Sequence, residues 1–167
     1  MGVLDAADRR SPARQVLALG LFVLACFMAA GLGSLFTTRS LGDWYVGLAK
    51  PSWNPPSWVF GPVWTALYAM MAVAGWLVWR RGGPASWLAL RWFAVQLALN
   101  VGWSAVFFGL QMPGLAFVEI LVLWLAIVAT LMTSWRVSRS AGILLVPYLL
   151  WVSFAAVLNF AIWRLNA

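Results

Sequence analysis

Three stretches of this chain set aromatic rings beside hydrogen-bonding side chains at helical spacing. At about 100° per residue, Gln96, Asn100, Trp103, Ser104 and Phe107 share one face of a helix. Tyr148, Trp151, Ala155 and Asn159 follow one another at three- or four-residue steps, and so do Trp64, Tyr68 and Met71. Rings around a few hydrogen-bonding groups suit a flat, mainly apolar ligand. The same residues would equally serve a bundle that is held together by hydrogen bonds between helices and takes no ligand. In hydrocarbon Asn100 must find a partner in either case. Glu119 is the one acid expected inside a helix. A buried carboxylate is a proton site or a member of a pair, unless, lying near the end of its helix, it reaches the interface instead.

What the chain lacks bounds the chemistry. It has no histidine, which removes the commonest metal ligand and the commonest general base at neutral pH. Its single cysteine, Cys26, allows neither an intrachain disulfide nor a thiolate metal site. No metal centre and no required cofactor is expected. No nucleophile, base and orienting group stand together, so catalysis would rest on tryptophan redox chemistry beside a bound ligand.

Membrane-spanning helices must present these faces. Of 167 residues, 64% are hydrophobic and 9% charged, and the mean hydropathy is +0.89. A soluble domain needs more polar surface to cover its core. A span needs roughly 20 mostly apolar residues, and the punctuation of the sequence predicts five, at about 16–38, 57–79, 86–110, 115–135 and 141–163. The expected fold is an all-α membrane protein, a five-helix bundle over 16–166 that follows a polar segment, 1–15. A cleaved signal peptide is the rival reading of the first span, because basic residues precede it, although its length favours a retained helix. Residues 39–56, with Pro51, Pro55 and Pro56, are expected to form an irregular loop, and Met112-Pro113-Gly114 a tight turn.

The net charge of +7 does not point to nucleic acid, because the arginines sit at the ends of apolar runs. Arg9, Arg10, Arg14, Arg80, Arg81, Arg91, Arg136 and Arg139 fall on one side, and Arg39, Lys50 and Arg164 on the other. The asymmetry predicts a cytoplasmic N-terminus, with the first loop and the C-terminus outside. A helical bundle favours a bacterial inner membrane over an outer one populated by barrels. Trp76, Trp79, Trp87, Trp92, Trp135 and Trp163 lie near helix ends, where an aromatic belt accounts for them. Trp64, Trp103, Trp124 and Trp151 lie deeper, in a packed core or a pocket wall. Opposite the polar face of the third span, Ala94, Ala98, Gly102, Ala105 and Gly109 form a small-residue face suited to close helix contact, a dimer seam among the options. There is no internal repeat of the kind that builds many transporters.

Longer motifs carry a resemblance. The segments Asp43-Trp44-Tyr45, Lys50-Pro51-Ser52-Trp53-Asn54-Pro55-Pro56-Ser57-Trp58-Val59-Phe60 and Val63-Trp64-Thr65-Ala66-Leu67-Tyr68 resemble the tryptophan-rich sensory protein family. This is the TspO and translocator-protein family, whose animal members are also called peripheral benzodiazepine receptors. Gln96-Leu97-Ala98-Leu99-Asn100-Val101-Gly102-Trp103-Ser104, Val146-Pro147-Tyr148-Leu149-Leu150-Trp151 and Leu158-Asn159-Phe160 continue it. The resemblance implies a five-helix bundle that dimerises, often through its third helix, and that binds porphyrins, haem-like tetrapyrroles and related hydrophobic ligands beneath the first loop. It places Tyr45, Trp64, Tyr68, Asn100, Ser104, Phe107, Trp151, Phe154 and Ala155 in the pocket wall. Trp64 and Trp151 resemble two tryptophans implicated in light-dependent protoporphyrin breakdown, and would be the catalytic pair if the chain is an enzyme. The sterol-recognition pattern is incomplete, with Phe160 where a tyrosine is wanted. Without an imidazole, iron would go unligated, so metal-free porphyrin should bind about as well as haem.

Three functions compete: a membrane receptor or sensor for tetrapyrroles, an enzyme that degrades porphyrin with light and oxygen, and a transporter of tetrapyrroles or other small molecules. A purely structural role comes after these. The expected partners are the ligand, the lipid bilayer and a second copy of the chain.

Overall fold

The structure, a computed structural model, describes residues 11–40, 42 and 44–167. Arg9, Arg10 and Asp43 lie outside the described residues. Five long helices carry the chain: α1 (Pro12–Ser40), α3 (Ser57–Arg81), α4 (Gly83–Ser104), α5 (Pro113–Val137) and α6 (Arg139–Leu165). Each is long and apolar enough to cross a membrane, α4 together with the segment that follows it. The 25 residues of α3 span about 38 Å, more than the hydrocarbon thickness of roughly 30 Å.

The helices run past the predicted ends, by two to four residues in most cases. Flanking polar residues can continue a helix at the water boundary, where its unpaired carbonyls and amides are solvated. The α3–α4 connection is a single residue, shorter than expected. Gly82 and Gly83 have φ of 68° and 81°, a left-handed conformation that turns the chain at little cost only in glycine. Pro84 then sits in the first turn of α4, where its missing N–H is not needed. At the α5–α6 junction, Ser138 Oγ accepts from the Ala141 amide at 3.4 Å as an N-cap.

Two further departures concern the site. The loop 39–56 is not wholly irregular, because Trp44–Gly47 forms a short helix, α2. The third span does not stay α-helical to residue 110. Ala105–Gly109 is a π segment in which the Leu110 amide donates to the Ala105 carbonyl at 2.8 Å. The wider turn shifts the side chains after Ser104 around the axis, so a constant 100° step stops describing the face there. Gln111, with φ of 57°, then reverses the chain before Pro113 opens α5.

The helices close into a ring in the order α1, α3, α6, α5, α4 and back to α1. Close approaches need small residues: a Cβ on Gly75 would stand 2.8 Å from the Phe22 ring, across the α1–α3 contact. The core holds Cys26, Met71, Ile120, Ile127, Leu145 and Tyr148, while Leu17, Leu21, Val118, Leu125, Leu150 and Val157 point outward. That exposed apolar surface is what lipid covers.

Candidate ligand site

Polar side chains from three helices meet at the centre of the ring. The Tyr68 hydroxyl (α3) donates to Asn100 Oδ1 (α4) at 2.5 Å. Asn100 Nδ2 donates to the Tyr148 hydroxyl (α6) at 3.0 Å, and that hydroxyl donates to Gln96 Oε1 at 2.9 Å. Gln96 Nε2 ends the ladder 3.9 Å from Met71 Sδ. All four polar residues are buried. Asn100 and Gln96 share a face because they are four apart, and Tyr148 is caught between them. The partner that Asn100 requires is thus a pair of phenols.

A second joint lies nearer the first loop. Asn159 (α6) accepts from Trp103 Nε1 (α4) at 3.0 Å and donates to the Pro113 carbonyl at the start of α5 at 2.8 Å. One buried carboxamide therefore ties three helices just beneath the π segment. Trp124 is held similarly, its Nε1 donating to Ser153 Oγ at 2.8 Å.

Aromatic rings fill the space between these joints and the loop. Trp103 stacks on Phe107 at 5.3 Å, and Phe107 meets Trp44 at 5.7 Å and Tyr45 at 6.4 Å. On the α6 side Trp151 meets Phe154 at 5.5 Å and Phe60 at 5.8 Å, and Trp53 of the loop meets Phe154 at 5.9 Å. Trp64 bridges rings and ladder, 5.6 Å from Tyr68 and 6.3 Å from Tyr148. Burial pushes the Tyr45 phenol above its ordinary pKa, so it stays a neutral donor through the physiological range.

Between α3 and α6 a groove of about 430 Å³ opens toward the lipid. Val63, Ala66, Leu67 and Met70 form one wall, and Pro147, Leu150, Trp151 and Phe154 the other. This volume lies within the range of small-molecule sites.

The expected site residues divide by place. Trp64, Tyr68 and Asn100 belong to the ladder and its ring neighbour. Trp151 and Phe154 line the groove. Tyr45 and Phe107 pack together under the loop. Ala155 is half-buried beside the core. Ser104 is not brought to the rings: its Oγ lies 3.1 Å from where a Cβ on Gly33 would be, which puts it against α1. Helical spacing puts Gln96 and Tyr148 on the polar faces with Asn100 and Trp151, whereas the set implied by the family resemblance omits them; the structure places both in the ladder. Phe60, Met70 and Leu150 carried no signal, because an apolar residue facing a groove reads like one facing lipid.

The small-residue face is also divided. Ala94 and Ala98 are exposed, a Cβ on Gly102 would meet Glu119 Oε1 at 3.5 Å, and one on Gly109 would stand 3.0 Å from the Phe36 ring. Part of the stripe thus serves packing within the chain. Both Glu119 oxygens are buried without a hydrogen-bond partner among the described residues.

Known proteins share this architecture's sequence. The chain is 47% identical over 157 residues to the tryptophan-rich protein TspO of Chlorobaculum tepidum, covering 92% of this chain and 98% of that one. It is 42% identical over 148 residues to the human translocator protein, covering 87% and 88%. To the tryptophan-rich sensory protein of Cereibacter sphaeroides it is 41% identical over 145 residues, covering 87% and 89%. The TspO/MBR family model matches residues 22–164, nearly the whole helical ring. With five apolar spans in that ring, the chain is an integral membrane protein and belongs to the TspO/MBR family.

Proposed function

We propose that the chain is a membrane receptor that takes a flat hydrophobic ligand, a tetrapyrrole such as protoporphyrin or a haem-like ring, beneath the first loop. One observation carries this reading: Trp151 and Phe154 line an apolar groove between α3 and α6, and each meets a further ring, Phe60 of α3 on Trp151 and Trp53 of the loop on Phe154. Stacking and shape hold the macrocycle, and the loop's polar groups and Lys50 meet its carboxylates at the rim. With no histidine in the chain, metal-free protoporphyrin and haem bind with affinities within about threefold of each other. The test is titration of the purified protein with protoporphyrin in darkness, following tryptophan quenching. Filling the groove with Ala66→Trp should weaken binding at least about tenfold. Undiminished binding by that variant would remove the groove from the site.

A second reading, degradation of the bound porphyrin by light and oxygen, draws on the position of Trp151 in the groove wall and of Trp64 next to Tyr68 and Tyr148. Illumination of the bound complex separates the two: Trp151→Phe that binds but forms no product favours the enzyme. The same overall reading includes a second copy against the exposed Ala94 and Ala98, and a cytoplasmic N-terminus. For the orientation, Arg14, Arg80, Arg81, Arg91, Arg136 and Arg139 lie toward one end of the ring, and Arg39, Lys50 and Arg164 toward the other.

A further inference from the structure

We propose that Asn166 is the clasp of a lid: its carboxamide holds the loop down on the end of the bundle, and release of this clasp sets how fast a ligand leaves the site beneath. The part that concerns ligand release rests on the receptor reading above.

Asn166 is the first residue beyond α6. Its Oδ1 accepts from the Ala49 amide at 3.0 Å, and its Nδ2 donates to the Ala49 carbonyl at 2.9 Å. The side chain thus satisfies both backbone groups of one loop residue, as a neighbouring strand would. The same Nδ2 donates to the Ile162 carbonyl at 2.7 Å, one of the open carbonyls of the last helical turn. That third bond holds the carboxamide in place for the other two.

The fastening transmits along the loop in both directions. Next to Ala49, the Lys50 ammonium donates to the carbonyls of Val46 and Leu48 at 3.3 and 3.0 Å and lies 4.6 Å over the Tyr45 ring. Tyr45 in turn packs on Phe107. On the other side, Trp53 rests on Phe154. Both places where loop rings cover the bundle therefore flank the residue that Asn166 holds.

The loop's other end is tied differently. Ser40 Oγ donates to the Phe108 carbonyl at 2.6 Å, and Ser40 is only 6% exposed. That bond is partly buried and so less open to water than the Asn166 bonds to Ala49, which lie at an exposed rim, where water substitutes at modest cost. The Ser40 end acts as the hinge and the Asn166 end as the part that opens.

The experiment uses the full chain in lipid nanodiscs, with loop hydrogen exchange and protoporphyrin binding kinetics read by tryptophan quenching. In Asn166→Ala, the loop amides around Ala49 exchange about tenfold faster and protoporphyrin dissociates about tenfold faster, while association changes less than about threefold. Asn166→Asp, which keeps the acceptor and loses both donated bonds, falls between. A second arm covers the case in which Asn166→Ala fails to fold: Ala49→Cys with Asn166→Cys in a Cys26→Ser background. Oxidation should slow protoporphyrin exchange at least about tenfold, and reductant should restore it. Unchanged loop exchange in Asn166→Ala overturns the clasp. So does faster loop exchange with an unchanged dissociation rate, or a crosslinked protein that exchanges ligand at the wild-type rate. Protoporphyrin that fails to quench the wild type overturns the ligand site and the claim on release, whereas loop exchange judges the fastening by itself.

Discussion

The interior ladder and the rim under the loop both contain tyrosine, but one is held by amides and the other by rings. In the ladder, Tyr68, Asn100, Tyr148 and Gln96 bond to one another and are buried. At the rim, Tyr45, Trp53, Trp151 and Phe154 make mainly ring contacts and are half-buried or exposed, and Trp151 and Phe154 line an open groove. A polar group in hydrocarbon is costly until it is paired, so the ladder is committed to the fold and has little left to offer a ligand. Ring faces have no such obligation. On the receptor reading proposed above, they can exchange one another for a macrocycle, and the division gives stability to the centre of the ring of helices and recognition to its edge.

The largest expected effect tests the ladder. Asn100→Ala leaves the Tyr68 hydroxyl without its acceptor and takes from Tyr148 the bond it accepts, though not the one it donates to Gln96; it should lower stability by about 2 kcal/mol, at 1–3 kcal/mol per orphaned buried group. Unfolding in mixed micelles measures it, and a loss below about 0.5 kcal/mol would mean the ladder is not a joint. Next comes Asn159→Ala, which frees Trp103 and the Pro113 carbonyl and should cost about 1 kcal/mol, visible as a lower unfolding midpoint. A drop in protoporphyrin affinity larger than the drop in stability would instead move this joint to the recognition side. Trp151→Phe should leave stability nearly unchanged and weaken protoporphyrin by about fivefold, the worth of roughly one good ring contact. If it destabilises more than it weakens binding, the rim is core after all. The smallest effect belongs to Glu119→Gln. With no hydrogen-bond partner for either oxygen among the described residues, the substitution should shift stability by no more than about 0.5 kcal/mol. A larger loss would reveal a partner that the described residues do not supply.

The amide–phenol joint was half legible in sequence. The four-residue step from Gln96 to Asn100 and the demand that Asn100 find a partner follow from helical periodicity and the cost of an unpaired amide. That its partners are Tyr68 and Tyr148 does not follow, because spacing orients residues only along their own helix. Ser104 shows the same limit locally. A constant helical step groups it with Asn100 and Phe107, yet its hydroxyl faces Gly33 of α1, and the π segment that begins at Ala105 leaves no composition signal. Asn166 is a polar residue near a chain end, unremarkable until the Ala49 backbone is brought to it by the fold.

The sequence by itself determined the membrane class, the number of spans and the faces that carry rings and amides. These depend on local quantities: run length against bilayer thickness, residue type, and the fixed angular step of a helix. Only the tertiary structure decided the cyclic order of the helices, the ladder's partners, the division of the small-residue face and the fastening of the loop. Those depend on which side chains meet across helices distant in sequence, and each such meeting is set by the packing of the whole ring at once.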